Sequence, residues 1–498
     1  VHQTESLADV PNINQRTHSA AFPDHASTAI GAFLEKAAIN HPNQSGFAIF
    51  PEGRQAYTAR IAMTELAEKT LDLQYFVWEA DATGRILAQH LVLAADRGVR
   101  VRILIDDMYI EGRDSTLTAL NAHPNIEVRI FNPFIHRSQP MLDFITDFDR
   151  VNHRMHNKLF VMDNTAVIVG GRNIGDSYFQ VHQKVNFRDL DVFAVGPVVR
   201  EASAVFDQFW NGDWAIPVNA LVNRTSTATD LREVVDTAHK QVAAEPYPYP
   251  LNEDVAALKS ELETIFNGLI WTQGHMIFDD PDEIKEHGRT VTMTEGFYRR
   301  IDRLETELLI EVPYFVVRKR GLDAVQRLRE RGVHIRVLTN SLASNNILAA
   351  HAGHAKHRKE LVAAGVELYE LRSEPPVKKQ TFHLTGSTKS TLHCKAFVFD
   401  RKDVFIGSLN LDPRSGDINT EAGLYIESPE LAEQMIVYMN EGVAAQNSYR
   451  VLLDPEGKLS WVTETEGMTE RHTRDPNSTS WQRTKAMLIG MLPVLNQL

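Results

Sequence analysis

Cysteine is almost absent from this chain of 498 residues, Cys394 being the single one. That excludes an internal disulfide framework and a metal site built on thiolates. No stretch reaches the roughly 18 consecutive apolar residues of a membrane-spanning helix. A basic surplus is missing too: 52 Lys and Arg against 65 Asp and Glu leave a net charge of −13. A dedicated DNA or RNA binder usually shows the opposite balance. Nor is there the bias of a disordered chain, since 43% of residues are hydrophobic and 23% charged, the mix of a globular protein. One core does not serve this length, so two domains or two fused lobes are expected. The chain starts at Val1 rather than Met, which removal of a leader or an arbitrary boundary would each explain.

What the sequence does contain is a phrase used twice. Residues 153–163 read "HRMHNKLFVMD" and residues 390–400 read "STLHCKAFVFD". In each, a His is followed two places later by Lys, then by four mostly apolar residues and an Asp. The echo is wider than that. "ADRGVRVRILIDD" (95–107) matches "RERGVHIRVLTNS" (329–341), each a helix end, a Gly stop and a β-branched strand. "LDLQYFVW" (71–78) mirrors "LLIEVPYFVV" (308–317), and "NIEVRIF" (125–131) mirrors "GVELYEL" (365–371). The pattern predicts an α/β fold duplicated in two lobes, each a mixed or parallel sheet flanked by helices. The boundaries read as an N-terminal arm over 1–45, a first lobe over 46–215, a helical connector over 216–289, a second lobe over 290–450 and a tail over 451–498.

Each phrase continues into a hairpin. "LFVMD" reaches the turn signal "DNT", and "AVIVGGRN" follows. Side chains two apart on a strand share a face, so His156 and Lys158 point the same way. Pairing Asp163 with Ala166 sets Lys158 opposite Gly171 and His156 opposite Asn173. Pairing Asp400 with Asp403 sets Lys395 opposite Ser408 and His393 opposite Asn410. Two Lys and two Asn brought together could clamp the oxygens of a phosphodiester without a metal or cofactor. One His could attack phosphorus while the other protonates the leaving oxygen. Gly171 and Ser408 would let backbone and hydroxyl donors approach the phosphate. Asp163 and Asp400 lie about 16 Å along the strand at ~3.3 Å per residue, too far for the same phosphate, and belong to the turns. Aligning "DVFAVGP" (191–197) with "GLYIESP" (423–429) sets Asp189 against Glu421, the candidates for holding the His rings. Asp191 competes with Asp189.

Two copies of His-x-Lys-x4-Asp-x6-Gly-(Gly or Ser)-x-Asn resemble the signature of the phospholipase D superfamily. "GGRNIGDSYF" (170–179), "HAGHAKHRKEL" (351–361) and "GSLNLDPRS" (407–415) resemble bacterial cardiolipin synthases within it, the C-type branch in particular. The resemblance implies two phospholipase D-like lobes around one active site at a pseudo-twofold interface. It implies a phosphatidyl group carried on one His and passed to the glycerol head group of phosphatidylglycerol, with phosphatidylethanolamine as the donor of the C type. The usual order in the superfamily makes His156 the nucleophile and His393 the acid and base. Phospholipids are then the substrates and the membrane surface a peripheral partner, at the inner membrane of a bacterial envelope, with the side open and room for an accessory protein. A phospholipase D using water as acceptor is the nearest rival. A nucleic-acid phosphodiesterase and a lipid-binding scaffold without turnover are more distant ones.

Other features have plainer readings. His351, His354 and His357 recur every third residue and are expected on a basic, solvated helix face, since no fourth metal ligand follows. The resemblance adds head-group contacts through Lys356, Arg358 and Lys359. Cys394 should face the core, opposite to its neighbours His393 and Lys395. Asp412 and Arg414 are expected to pair with one another or to support the phosphate site. "FDDPDEIKEH" (278–287) reads as a solvated loop, and "WQRTKAMLIGMLPVL" (481–495) either as an interfacial segment or as one packed on the body.

Overall fold

The computed structural model describes residues 16–110, 112–222, 225–244, 247–249, 255–290, 292–374, 388–465 and 467–491. The first half supplies β1 (Ser45–Phe50), β2 (Thr70–Tyr75), β3 (Arg100–Asp106), β4 (Ile126–Phe131), β5 (Leu159–Met162), β6 (Ala166–Gly170), β7 (Val185–Arg188), β8 (Asp191–Val195) and β9 (Ala215–Pro217). The rest supplies β10 (Ile270–Phe278), β11 (Glu307–Glu311), β12 (His334–Asn340), β13 (Glu367–Leu371), β14 (Lys389–Leu392), β15 (Ala396–Phe399), β16 (Asp403–Gly407), β17 (Ala422–Glu427), β18 (Ser448–Leu453), β19 (Leu459–Thr465) and β20 (Met468–His472).

Hydrogen bonds link these strands in the order β9, β4, β3, β2, β5, β6, β8, β1, β10, β17, β16, β15, β11, β12, β13, β18, β19, β20. Counted outward from the β1–β10 seam, the order of the first eight strands is the same in both halves. The mixed α/β fold read from the sequence is therefore a duplication of topology. Within each half, the pairings β2–β3–β4 and β11–β12–β13 are parallel. Parallel neighbours need crossovers, which the helices Ala82–Asp96 and Lys319–Glu330 provide. Gly98 and Gly332 end the two crossovers at φ 96° and 82°, a left-handed stop that favours glycine.

Alternation along the hairpins gives each a double allegiance. Phe160, Met162 and Ile168 face the first lobe's own helices. Leu159, Val161, Val167 and Val169 face Ala396, Val398, Val404 and Ile406 across a core shared by the lobes. Cys394 is buried in that shared core, so the halves cannot separate without exposing it.

Three expectations need correction. The hairpin register is one residue off, because Met162 pairs with Ala166 and Phe399 with Asp403. Asp163 and Asn164, like Asp400 and Arg401, adopt left-handed φ between 50° and 55° and stay out of the ladder. The reason is an anchor: Asp163 accepts from the backbone N–H groups of Glu68, Lys69 and Thr70 at 2.9, 2.8 and 2.7 Å. Asp400 does the same for Glu305, Thr306 and Glu307 at 2.9, 2.8 and 3.0 Å. Continuing the observed count sets Lys158 opposite Gly170 and His156 opposite Arg172. Second, the helical connector also holds a strand, β10, and the supposed loop that follows it is the helix Pro281–His287 behind a buried Asp279. Third, His351, His354 and Arg358 are buried: Arg358 pairs with Glu370 at 2.8 Å and Asp475 at 3.1 Å, and His354 lies 3.2 Å from Glu370. Only His357 of this set keeps a half-exposed position.

Candidate active site

The two histidines stand just before β5 and β15, where each half meets the other. The His156 N–H donates to Thr420 O at 2.9 Å, and the Thr420 N–H returns a bond to Arg154 O at 3.0 Å. The His393 N–H donates to Arg188 O at 2.9 Å, extending the parallel β7–β14 pair. Thr420 and Arg188 directly precede Glu421 and Asp189. The rings follow the backbone: His156 Nδ1 lies 2.8 Å from Glu421 Oε2, and His393 Nδ1 lies 2.7 Å from Asp189 Oδ2. Each lobe's histidine is thus held by the other lobe's carboxylate, a crossing that alignment of the halves does not reveal. Asp191, the competitor, pairs instead with Arg60 at 2.9 Å and Arg172 at 3.5 Å behind the site.

The carboxylates are seated differently. Glu421 accepts the hydroxyls of Ser408 and Ser415, both at 2.5 Å, one on each oxygen. Its backbone N–H donates to Asp279 Oδ2 at 3.1 Å. Asp189 accepts its neighbour's backbone N–H from Leu190 at 2.8 Å. A Cβ on Gly171 would stand 2.1 Å from Asp189 Oδ1, so only glycine leaves room for that carboxylate. Gly171 and Ser408, expected as phosphate donors, therefore face the carboxylates: the Ser408 hydroxyl is turned to Glu421 by the depth at which that chain is buried.

Ser415 was not anticipated from the sequence. The signal lies in "NLDPRS", where Asp412 caps the short Pro413–Asp417 helix by accepting from Ser415 N–H at 2.8 Å. The cap returns Ser415 to the motif, where its Oγ accepts the Asn410 N–H at 3.3 Å. Arg414 reaches into the first lobe, donating to Asn152 O at 3.0 Å and Oδ1 at 2.6 Å.

Lys158 and Lys395 are buried, and each Nζ donates to the carbonyl of its own histidine. Lys395 Nζ also lies 3.1 Å from His393 Nδ1. Asn173 Oδ1 accepts the Val77 N–H at 3.1 Å, which leaves its buried Nδ2 without a hydrogen-bond partner among the described residues. The buried Oδ1 of Asn410 is in the same condition. Phe76 meets His156 edge-on at 5.1 Å, and Tyr178 does the same for His393 at 5.1 Å.

Burial and two neighbouring cations set the charges. Burial, then Lys158 and Lys395, push the His156 imidazole well below its usual value. Burial and Lys395 push His393 down to about 3, against the pull of Asp189. Lys158 falls well below the usual lysine value through burial and Lys395, and burial brings Lys395 down to about 8. The carboxylates diverge. Burial lifts Glu421 to about 7 against Lys158, whereas His393 and Lys395 overcome burial and hold Asp189 at about 2. Such a site presents neutral imidazole lone pairs beside crowded ammonium groups that an anion would relieve. It also breaks the symmetry of its two halves, the condition for giving them different proton-transfer roles.

Compared with known proteins, the chain matches the family described as "Cardiolipin synthase, PLD-like domain" over residues 61–210 and 297–442. It is 38% identical to cardiolipin synthase C of Escherichia coli (strain K12) over 475 residues, covering 91% of this chain and 96% of that one. With a cardiolipin synthase of Oceanobacillus iheyensis it shares 22% identity over 79% of this chain and 68% of the relative. Among solved structures, phosphatidylserine synthase of Haemophilus influenzae Rd KW20 superimposes with a TM-score of 0.53, over 84% of this chain and 91% of that one. At 13% identity that is a likeness of fold.

Proposed function

The chain belongs to the cardiolipin synthase family of the phospholipase D superfamily, with one matched domain in each half, and on that premise we propose how this phosphatidyltransferase works and on what. It joins two phospholipids into cardiolipin, with phosphatidylglycerol as acceptor and phosphatidylethanolamine as the first donor to test. The observation that supports this most is the crossed pair of histidine–carboxylate contacts at the lobe seam, with Lys158, Lys395, Asn173 and Asn410 beside them.

In the first step His156 Nε2 attacks the phosphorus of the donor. Its Nδ1 proton faces Glu421, which keeps the lone pair on Nε2. The phosphorus–oxygen bond to the head group breaks as His393, which takes up a solvent proton on Nε2 when the donor's anionic phosphate offsets Lys395 and Lys158, gives that proton to the leaving oxygen. In the second step His393 takes the proton of the incoming glycerol hydroxyl, whose oxygen displaces His156 from phosphorus. Lys158, Lys395 and the free amide of Asn173 hold the phosphoryl oxygens throughout.

The enzyme then works as a peripheral protein at a bacterial inner membrane. No helix among the described residues is long and apolar enough to cross a membrane. The strongly exposed Met141 and Ile145, ahead of His156 in the chain, suit contact with a lipid surface.

The test is incubation with mixed micelles of phosphatidylglycerol and phosphatidylethanolamine, with chelator present, followed by lipid mass spectrometry. Cardiolipin with released ethanolamine supports the reading and its donor. Cardiolipin with released glycerol moves the donor to phosphatidylglycerol. Phosphatidic acid alone would replace transfer by hydrolysis.

A further inference from the structure

Each lobe carries a largely apolar cavity that reaches the site, floored by β3 and β4 in the first lobe and by β11 and β12 in the second. In the first lobe a cavity of about 500 Å³ lies against Ile103 and Ile105 of β3, under the helices Ala82–Asp96 and Ala228–Ala244. In the second, one of about 310 Å³ lies against Leu308 and Ile310 of β11, under the helices Thr292–Ile301 and Lys319–Glu330. Their floors differ, but they correspond at the site end. Trp78 lines the first and bridges to Ile174, while Phe315 lines the second and bridges to Leu411. Ile174 and Leu411 directly follow Asn173 and Asn410 in the chain, and Asn410 itself lines the second cavity.

The shape matters as much as the place. The second cavity reaches from Leu308, at the far end of β11, to Phe315 at the site, a chain length of at most about 23 Å at ~3.3 Å per residue. The first likewise runs from Ile126, at the far end of β4, to Ile110 just beyond β3. At the site end Arg113 pairs with Glu79 at 3.1 Å and Arg318 pairs with Asp417, while Arg85, Asp230 and Glu233 edge the first cavity elsewhere and Arg289 and Arg320 the second. A long apolar slot with a polar mouth at the motif asparagine matches one molecule class: a hydrocarbon chain tethered to a phosphate.

The depth of the histidines points the same way. His156 and His393 are only 6% and 7% exposed, so a phosphodiester bound to them has left the head-group plane. Its glycerol must follow, and at least one chain must leave the bilayer with it. Moving that chain into an apolar slot replaces lipid contacts by protein contacts of the same kind, so the slot serves alignment more than affinity.

We propose that the two cavities are acyl-chain sites, one in each lobe, for the two phospholipids brought together at the seam. The inference rests on the transfer reading above and adds where the chains lie. Two experiments test it. Phosphatidylglycerol bearing a diazirine at the end of one acyl chain, photolysed with the full-length protein in micelles, should label peptides containing Ile103 or Ile335. Label confined to the exposed Met141, Ile145, Met487 and Leu488 would place the chains outside and overturn the sites. In the second, Ala88→Phe and Val317→Phe fill the slots from half-buried positions on their walls. Each should lower kcat/KM at least tenfold for dipalmitoyl lipids and less than twofold for dihexanoyl lipids. Equal effects on both lipid lengths, or none, would overturn the proposal. Wild-type turnover of dihexanoyl lipids reports the transfer reaction separately. Turnover with label outside rejects the slots alone, while label inside without transfer rejects the reaction alone.

Discussion

His156 and Glu421 come from different lobes, and their 2.8 Å contact joins a ring to a carboxylate 265 residues further along the chain. The reciprocal contact, His393 to Asp189, spans 204 residues. If these pairs divide the labour as proposed, removing each ring has a different consequence. His156→Ala should lose turnover by at least ~10⁴-fold, since no nucleophile replaces it. His393→Asn should slow turnover by ~10²–10⁴-fold and leave a phosphatidyl group on His156. Intact-mass spectrometry under denaturing conditions reads the adduct. Loss of activity in both variants with lipid phosphorus on neither would reject the covalent route.

The pH profile should be a narrow bell. On the proposed mechanism Glu421 must be ionised to accept two hydroxyls and a ring N–H, and burial lifts it to about 7, so activity should rise with pH through that value. On the same mechanism Lys395 must be charged to hold phosphate, and burial brings it down to about 8, so activity should fall above that. Asp189, held at about 2, does not titrate in this range. Rates measured on soluble short-chain lipid should show both limbs, Glu421→Gln should flatten the acid one, and Lys395→Arg should carry the alkaline one upward.

In the proposed mechanism Ser415 acts through Glu421, as a positioning residue. Its hydroxyl, like that of Ser408, favours the ionised carboxylate. Ser415→Ala should therefore raise the acid limb toward higher pH and cut kcat by about tenfold, roughly the ~1.4 kcal/mol of one charge-assisted hydrogen bond. KM should hold, and Ser415→Thr should restore the limb. A lower kcat with an unmoved limb would mean that the serine only shapes the loop.

Asp163 and Asp400 should matter to stability and little to chemistry. Asp163→Ala leaves three backbone N–H groups at the start of β2 without their acceptor, at a cost of about 3 kcal/mol. Asp400→Ala, whose partners are nearer solvent, should cost about 1 kcal/mol. Thermal unfolding reads both, and specific activity of the folded fraction should stay within a factor of two of the parent.

Much of this was legible because it is local or repeated. The twin His-x-Lys phrases, the Gly98 and Gly332 stops and the alternation of β5 and β15 are short-range patterns, and duplication confirms each by its copy. What failed was longer-range. The hairpin register turns on Asp163 reaching Glu68–Thr70, ninety-odd residues back in the chain, which the turn itself does not announce. Ser408 reads as a phosphate donor from its motif, whereas its hydroxyl donates to Glu421. Burial of His351 and His354 depends on Glu370 and Asp475 from elsewhere in the chain, so their spacing on the helix was no guide. The crossing of the carboxylates is the extreme case. Two similar halves are consistent with either pairing, and only the seam between them chooses.

That seam has a consequence for how the chain can change over generations. A duplicated protein usually carries a spare, free to drift while its twin keeps working. On the proposed mechanism each copy completes the other, so a lesion at Asp189 would disable the ring of the second half and a lesion at Glu421 that of the first. Neither half would then be redundant, and the two would be inherited as one unit.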